Sequence, residues 1–242
     1  LTAVENDILA APFSEKEVFE AISQMKNNKA PGPDGFSAEF YKKCWHIIKG
    51  VLLPMFHDLF SGQLQLFQLN FGTITLLPKK TEAVRIEQFR PICLLNVSFK
   101  IFTKVGTIRL TRIAHAVVQP TQTAFMPDRN ILEGVVVLHE TLHEIHTKKL
   151  DGVIFKVDFE KAYDKVKWPF LQQALRMKGF DEAWRRQVES FTQKGSVGIK
   201  VNGDIGHYFQ THKGLRQGDP RSPILFNIVV DMLAILIGRA KE

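Results

Sequence analysis

Residues 153–164 read Val153-Ile154-Phe155-Lys156-Val157-Asp158-Phe159-Glu160-Lys161-Ala162-Tyr163-Asp164. Val153, Phe155, Val157 and Phe159 fall on one face of an alternating pattern. Ile154, Lys156 and Asp158 fall on the other. The alternation predicts a strand over 153–159, pinned to a core by its apolar face, with Asp158 offered near its end. Glu160 to Val166 reads as a turn or short helix. A carboxylate so placed suits a hard cation such as Mg²⁺, which takes oxygen ligands. It equally suits the cap of a following helical turn. The segment alone leaves both readings open.

Downstream, Phe170 to Phe191 reads as helical, broken at Gly179. Asn202-Gly203 is a hairpin signal between 197–201 and 205–211. Lys213 to Pro223 is a loop, and a last helix starts near Ser222 with Pro223 in its first turn. Its run from Ile224 to Ile237 is very apolar, interrupted by Asn227 and Asp231, and shorter than the ~20 residues that span a bilayer. A buried core helix is expected.

Upstream, Ser14 and Glu17 form a capping box before the stripe Val18, Ala21, Ile22, Met25. Ala30-Pro31-Gly32-Pro33-Asp34-Gly35 ends that helix. Ser37 caps a second helix carrying Phe40, Tyr41, Cys44, Trp45 and Ile48. A third is expected from Leu52 to Phe60, with Pro54 in its first turn. Phe71 to Leu77 reads as a strand. Ser98 to Val118 reads as a helix with a basic face of Lys100, Lys104, Arg109 and Arg112. Ile131 to Lys148 reads as another, with Ile131, Val135, Leu138, Leu142 and Ile145 in one stripe. Strands and helices mix without regular alternation, which favours an α+β fold.

The 242 residues carry 45% hydrophobic and 24% charged side chains, ordinary globular usage that permits a buried core. The net charge of +7 permits a polyanionic partner without requiring one. Cys44 and Cys93 are the only cysteines, which excludes a disulfide framework and a four-thiolate zinc site. The opening Leu1-Thr2-Ala3-Val4-Glu5-Asn6-Asp7 lacks the basic start and apolar run of a signal peptide. An intracellular setting is expected, nucleus and cytoplasm being undistinguished. Both ends read as cut from a longer chain.

Phe155 to Asp164 resembles motif A of reverse transcriptases, and Leu215-Arg216-Gln217-Gly218-Asp219-Pro220-Arg221-Ser222-Pro223 resembles their motif B. Ala30 to Phe36 resembles an N-terminal motif of the non-LTR retrotransposon (LINE-type) branch. Ile74-Thr75-Leu76-Leu77-Pro78-Lys79-Lys80 and Phe89-Arg90-Pro91-Ile92 resemble the fingers strands. Gln122-Thr123-Ala124-Phe125 with Arg129 resembles the next block. The order is the family's order.

The resemblance implies a right-hand polymerase fold: N-terminal extension and fingers over 1–150, part of the palm over 151–242, and no thumb. It implies RNA-directed DNA synthesis, with an RNA template, a DNA primer, a deoxynucleoside triphosphate and a two-ion Mg²⁺ site. Asp158 would be a catalytic, metal-binding carboxylate, with the Phe159 carbonyl beside the metal. Tyr163 would exclude a ribose 2′-hydroxyl. Lys79 and Arg90 would contact the triphosphate, Gln217 would hydrogen-bond near the nucleotide sugar, Gly218 would let the backbone come close to the nascent pair, and Arg129 would contact the template or primer. The family's pattern has an apolar residue where Arg221 stands and glycine where Asp128 stands. Its motif C supplies two adjacent aspartates, and no Asp-Asp occurs here. The isolated chain is therefore expected not to polymerise. Neither a membrane association nor an oligomeric state is implied.

Two rival readings remain from the residues. His139-Glu140-Thr141-Leu142-His143 matches the zinc-protease pattern on a predicted helix. The basic face of the 98–118 helix fits a non-catalytic nucleic-acid-binding remnant. Group II intron maturases share much of the motif pattern. The Ala30–Gly35 opening with Phe159-Glu160-Lys161-Ala162-Tyr163-Asp164 favours the non-LTR branch.

Overall fold

The computed structural model describes residues 1–193 and 195–240. Its centre is a mixed sheet in the order β2-β1-β3-β4, with β5 also paired to β3. β1 (Phe71–Pro78) and β2 (Phe89–Leu95) run antiparallel, in register from Gly72 opposite Leu95 to Pro78 opposite Phe89. β3 (Ser196–Val201) lies parallel to β1. It turns at Asn202 and Gly203, both with positive φ, into β4 (Asp204–Ile205), and β5 (Phe209–Gln210) returns along its base. Two successive left-handed residues are what a tight hairpin turn of matching twist requires.

Helices surround this sheet. α1 (Ala3–Ala10) and α2 (Glu15–Ser23) both start on capping boxes, the second built by Ser14 and Glu17 as expected. α3 (Ala38–Lys43) is capped by Ser37. It ends at Cys44, and α4 (Trp45–Phe60) then runs on through Pro54, so the expected break near Leu52 falls eight residues earlier, between Lys43 and Trp45. Pro54 thus sits inside a helix and not in a first turn. α5 (Val97–Arg112) stops one residue before α6 (Ala114–Val117). α7 (Ile131–Thr147), α8 (Trp168–Met177), α9 (Glu182–Thr192) and α10 (Ser222–Arg239) complete the set. Gly179, φ +82°, separates α8 from α9.

Two apolar cores share α5 as their spine. Phe99, Phe102 and Val105 join Val18, Ile22, Phe56, Leu95 and Phe191 in one. Phe56 lies 4.3 Å from Phe102 ring to ring, and Phe99 meets Phe191 edge-on at 5.6 Å. Leu110 joins Leu9, Leu171, Trp184, Leu215 and Ile228 in the other. The cores interleave along the chain: the first takes Phe191 and Val197, the second Leu9 and Met126. Each core thus draws residues from both sides of residue 150. α10 has the length and apolarity of a membrane-crossing helix. Ile224, Leu225, Ile228 and Met232 are nonetheless buried in the second core, while Leu236 and Ile237 stay exposed.

Two further expectations change, and one helix has an unusual setting. The 153–159 segment forms no strand and is exposed throughout, with Phe155 at 87%. A strand exists only through ladder bonds to a neighbour, and among the described residues none pairs with it. α7 forms where expected, but none of its residues is buried, so its apolar stripe faces solvent. The basic face of α5 is not a face. Arg109 is buried, with Nε and Nη2 on the two Glu17 carboxylate oxygens at 2.7 and 2.9 Å and further bonds to the Leu9 and Pro12 carbonyls. α2 packs over that side, and burial pulls the Lys100 and Lys104 ammonium pKa values down.

Candidate functional site

The loop 214–221 is tied down by backbone bonds on both flanks. Gly214 N–H donates to the Val166 carbonyl at 2.7 Å, and Leu215 N–H to the Tyr163 carbonyl at 2.8 Å. Trp168 Nε1 donates to the Gly214 carbonyl at 2.9 Å. On the other flank, Cys93 N–H donates to the Gln217 carbonyl at 2.9 Å, which extends the outer edge of β2. Gly218 has φ +124°, and a Cβ there would fall inside van der Waals distance of the Cys93 carbonyl oxygen. Only glycine meets both conditions. The loop thus joins the tail of the 153–164 motif to the sheet.

Two arginines lie beneath it. Arg216 Nη2 donates to the Phe191 carbonyl at 3.1 Å, and its guanidinium stands over the Phe99 ring. Arg221 is 1% exposed, with its guanidinium 4.3 Å above the Phe191 ring. Its Nε, Nη1 and Nη2 have no hydrogen-bond partner among the described residues. Burial pulls its pKa down to about 10, against the opposing pull of Asp219. A buried cation without acceptors is costly. The nearby Asp219 carboxylate accepts from the Arg221 backbone N–H instead, at 3.0 Å.

Tyr163 is half-buried. Its ring stacks on Phe226 of α10 at 4.8 Å and 16°. Phe159 meets Phe226 edge-on at 6.4 Å. Burial raises the Tyr163 phenol pKa. Asp158 and Phe159 line an apolar cavity of about 650 Å³ with Phe170, Phe226, Val229 and Leu233. Gln217 and Asp164 line a different one, of about 690 Å³, with Cys93 and Arg216. Burial raises the Asp164 carboxyl pKa.

Lys79 and Arg90 stand together at the far end of the β1–β2 hairpin. Arg90 is opposite Leu77, and Lys79 bonds through its N–H to the Gln88 carbonyl at 2.8 Å. Period-2 alternation puts both on one face. That face is opposite to the one carrying Ile74 and Cys93. Lys79 Nζ donates to the Glu87 carbonyl at 2.8 Å, while Arg90 is exposed.

The structure therefore ties Tyr163 to Leu215, two residues before Gln217, through a backbone bond, and sets Lys79 and Arg90 at one end of the hairpin. Asp158 and Tyr163 share Phe226 as a neighbour, whereas Gln217 lines a different cavity. Among the described residues no group of three or more His, Cys, Asp or Glu side chains is placed to hold a metal. Asp158 alone does not fit a two-ion site, which needs several bridging oxygens. The same holds for His139, Glu140 and His143 on exposed α7, which find no third ligand. Arg129 spends Nη1 on the Gln119 and Gln122 carbonyls, at 2.6 and 2.7 Å, and Nη2 on that of Val118 at 3.2 Å. It braces its own loop and leaves no free Nη toward a template.

Sequence reasoning missed the docking role of Asn96. The Asp34 N–H donates to Asn96 Oδ1 at 3.2 Å, and Gly32 lies against the Asn96 backbone too closely for any Cβ. The 30–36 motif is thereby held at the β2–α5 junction beside Lys100. It also missed that Asn227 and Asp231 bond across to the 119–124 segment. The signal for these was available: two polar residues one turn apart in an otherwise apolar helix.

Residues 77–240 match the model of the family described as reverse transcriptase (RNA-dependent DNA polymerase). The chain is 28% identical to the Transposon TX1 uncharacterized 149 kDa protein of Xenopus laevis, over 95% of this chain and 18% of that one. It is 25% identical to the Pol polyprotein from the type-2 retrotransposable element R2DM of Drosophila melanogaster, over 96% and 22%. It is 27% identical to that from the type-1 element R2 of Nasonia vitripennis, over 91% and 21%. The chain thus spans about a fifth of these relatives. Among solved structures, a chain of a partial Cas6-RT-Cas1–Cas2 complex shares the fold, with TM-score 0.52 and 16% identity over 98% of this chain and 35% of that one. With the motif order, the locked 214–221 loop and a family match over most of its length, the chain belongs to the reverse transcriptase family, and its relatives from Drosophila melanogaster and Nasonia vitripennis are proteins of retrotransposable elements.

Proposed function

We propose that this chain supplies the fingers and the nucleotide-facing loop of an RNA-directed DNA polymerase, acting on an RNA template, a DNA primer and a deoxynucleoside triphosphate. The observation that carries this reading is the joint held by Tyr163. Its carbonyl fixes Leu215, its ring is clamped on Phe226, and Gln217 and Gly218 follow along the edge of β2. A clamped aromatic ring is a rigid wall against a sugar 2′-hydroxyl, which favours deoxynucleotides. Gly218 leaves the backbone open to close approach by a base pair.

Lys79 and Arg90, on one face of the hairpin, are suited to a triphosphate, where fixed cations offset developing charge. Asp158 is proposed as one of the carboxylates that hold divalent metal, the ions reverse transcriptases use, but the described residues do not complete that site. The expected result is therefore salt-sensitive binding of an RNA–DNA hybrid by the 242-residue chain without primer extension. Failure to bind at low salt would overturn the reading. Robust extension with Mg²⁺ or Mn²⁺ would overturn the incompleteness of the metal site.

A further inference from the structure

Asn227 and Asp231 are buried on α10 and serve neighbours outside their own helix. Asn227 Nδ2 donates to the Ala124 carbonyl at 2.7 Å, and its Oδ1 accepts from Gln122 Nε2 at 3.2 Å. Asp231 Oδ1 accepts from the Gln119 N–H at 2.9 Å, and Oδ2 pairs with Lys178. Arg129 holds the same stretch from its other side through the carbonyls of Val118, Gln119 and Gln122. Met126 is buried in the second core. The chain is thus fixed before and after Phe125.

Phe125 itself has φ +58° and is 69% exposed. A bulky side chain in the left-handed region is a true outlier. Such strain persists where the surroundings over-determine it, and it gathers at functional positions. Here the surroundings turn an apolar ring outward, at the edge of a shallow cavity of about 550 Å³. The charges lining that cavity do not favour a phosphate. Asp128 and Glu133 are acidic, and the Arg129 Nη groups are already engaged. An exposed ring held outward offers a flat apolar face, on which a base stacks whatever its identity.

We propose that Asn227 and Asp231 are positioning residues that hold Phe125 out as a stacking platform for a base of the bound nucleic acid. This rests on the polymerase reading above. The test uses the whole chain and an RNA–DNA hybrid with a single-stranded template overhang carrying 2-aminopurine, whose fluorescence is quenched by stacking. Phe125→Ala should weaken binding about tenfold and abolish the quench. The slope of log affinity against log salt should stay as it was, because no phosphate contact is lost. Phe125→Trp should restore both affinity and quench. Asn227→Ala should weaken binding to a similar degree and add little in the double variant with Phe125→Ala, because both changes remove the same contact. Unaltered binding and quench in Phe125→Ala, whose exposed side chain is not needed for folding, would overturn the proposal. So would full additivity in the double variant, or a fall in the salt slope. Absence of salt-sensitive binding by the unaltered chain would instead overturn the polymerase reading, and the platform with it.

Discussion

The 214–221 loop and the 151–161 segment carry comparably legible motifs, yet they differ in what holds them. The loop is bonded to Val166 and Tyr163 on one side and to Cys93 on the other, with Leu215 buried. The segment is exposed along its length and belongs to no ladder. The difference teaches that a motif is realised where its contacts are local or come from elements already packed. Loop 214–221 needs a glycine, a turn and the edge of β2. A strand over 153–159 needs a whole partner strand, which no amount of alternation in its own residues supplies.

Perturbing the built half should cost the most. Arg109→Ala should lower stability by about 3–5 kcal/mol, because it strands Glu17 and opens the carbonyl cluster of Leu9 and Pro12; urea unfolding measures this. The same pair sets a pH dependence. Burial pushes the Glu17 carboxyl up, but the hydrogen bonds of Arg109 and Ser14 outweigh it and hold the pKa at about 2, below the usual 4.5. A depressed folded-state pKa means that the contribution is present above pH 4.5 and is lost as pH falls toward 2. An unfolding midpoint unchanged over that window would count against the ion pair.

Gly218→Ala should cost on the order of 2–3 kcal/mol, combining left-handed strain with the clash on the Cys93 carbonyl. A neutral effect in thermal unfolding would mean that the loop is not locked to β2. Arg221→Leu should act in the opposite sense and raise stability by about 1–2 kcal/mol, since it removes a buried cation without acceptors. A loss of that size would show that the guanidinium has partners after all. Phe155→Ser should fall within about 0.5 kcal/mol of neutral, as expected for an exposed site. A cost above about 2 kcal/mol would mean that the segment is packed.

Much of the fold was legible because its signals are local. The Ser14–Glu17 box, the Asn202-Gly203 turn, Gly179 between helices and Pro223 in a first turn each act within a few residues. Arg109 was misread as surface because charge on a helix is normally solvated. Its burial comes from carbonyls about a hundred residues away. Pro54 was misplaced because the helix around it is set by burial of Leu52, Phe56 and Leu59, which overrides the local break. The α7 stripe was read correctly as amphipathic, but periodicity says only that a face is apolar. Of the candidate site, Tyr163 is bonded to Leu215 and Gln217 to Cys93, links between segments that the residues of each motif do not reveal. The Asn227–Gln122 bond joins residues far apart in sequence that no spacing rule links.

The most direct test of the central contrast is backbone amide hydrogen exchange on the intact chain. The amides of Gly214, Leu215 and Cys93 are bonded, and Leu215 and Cys93 are themselves buried, so these amides should exchange slowly, near the limit set by global unfolding. Those of 153–159 should exchange at the rate of an open chain. Protection over 153–159 comparable to that at Leu215 would contradict this account, because it would place a ladder partner where the structure shows none.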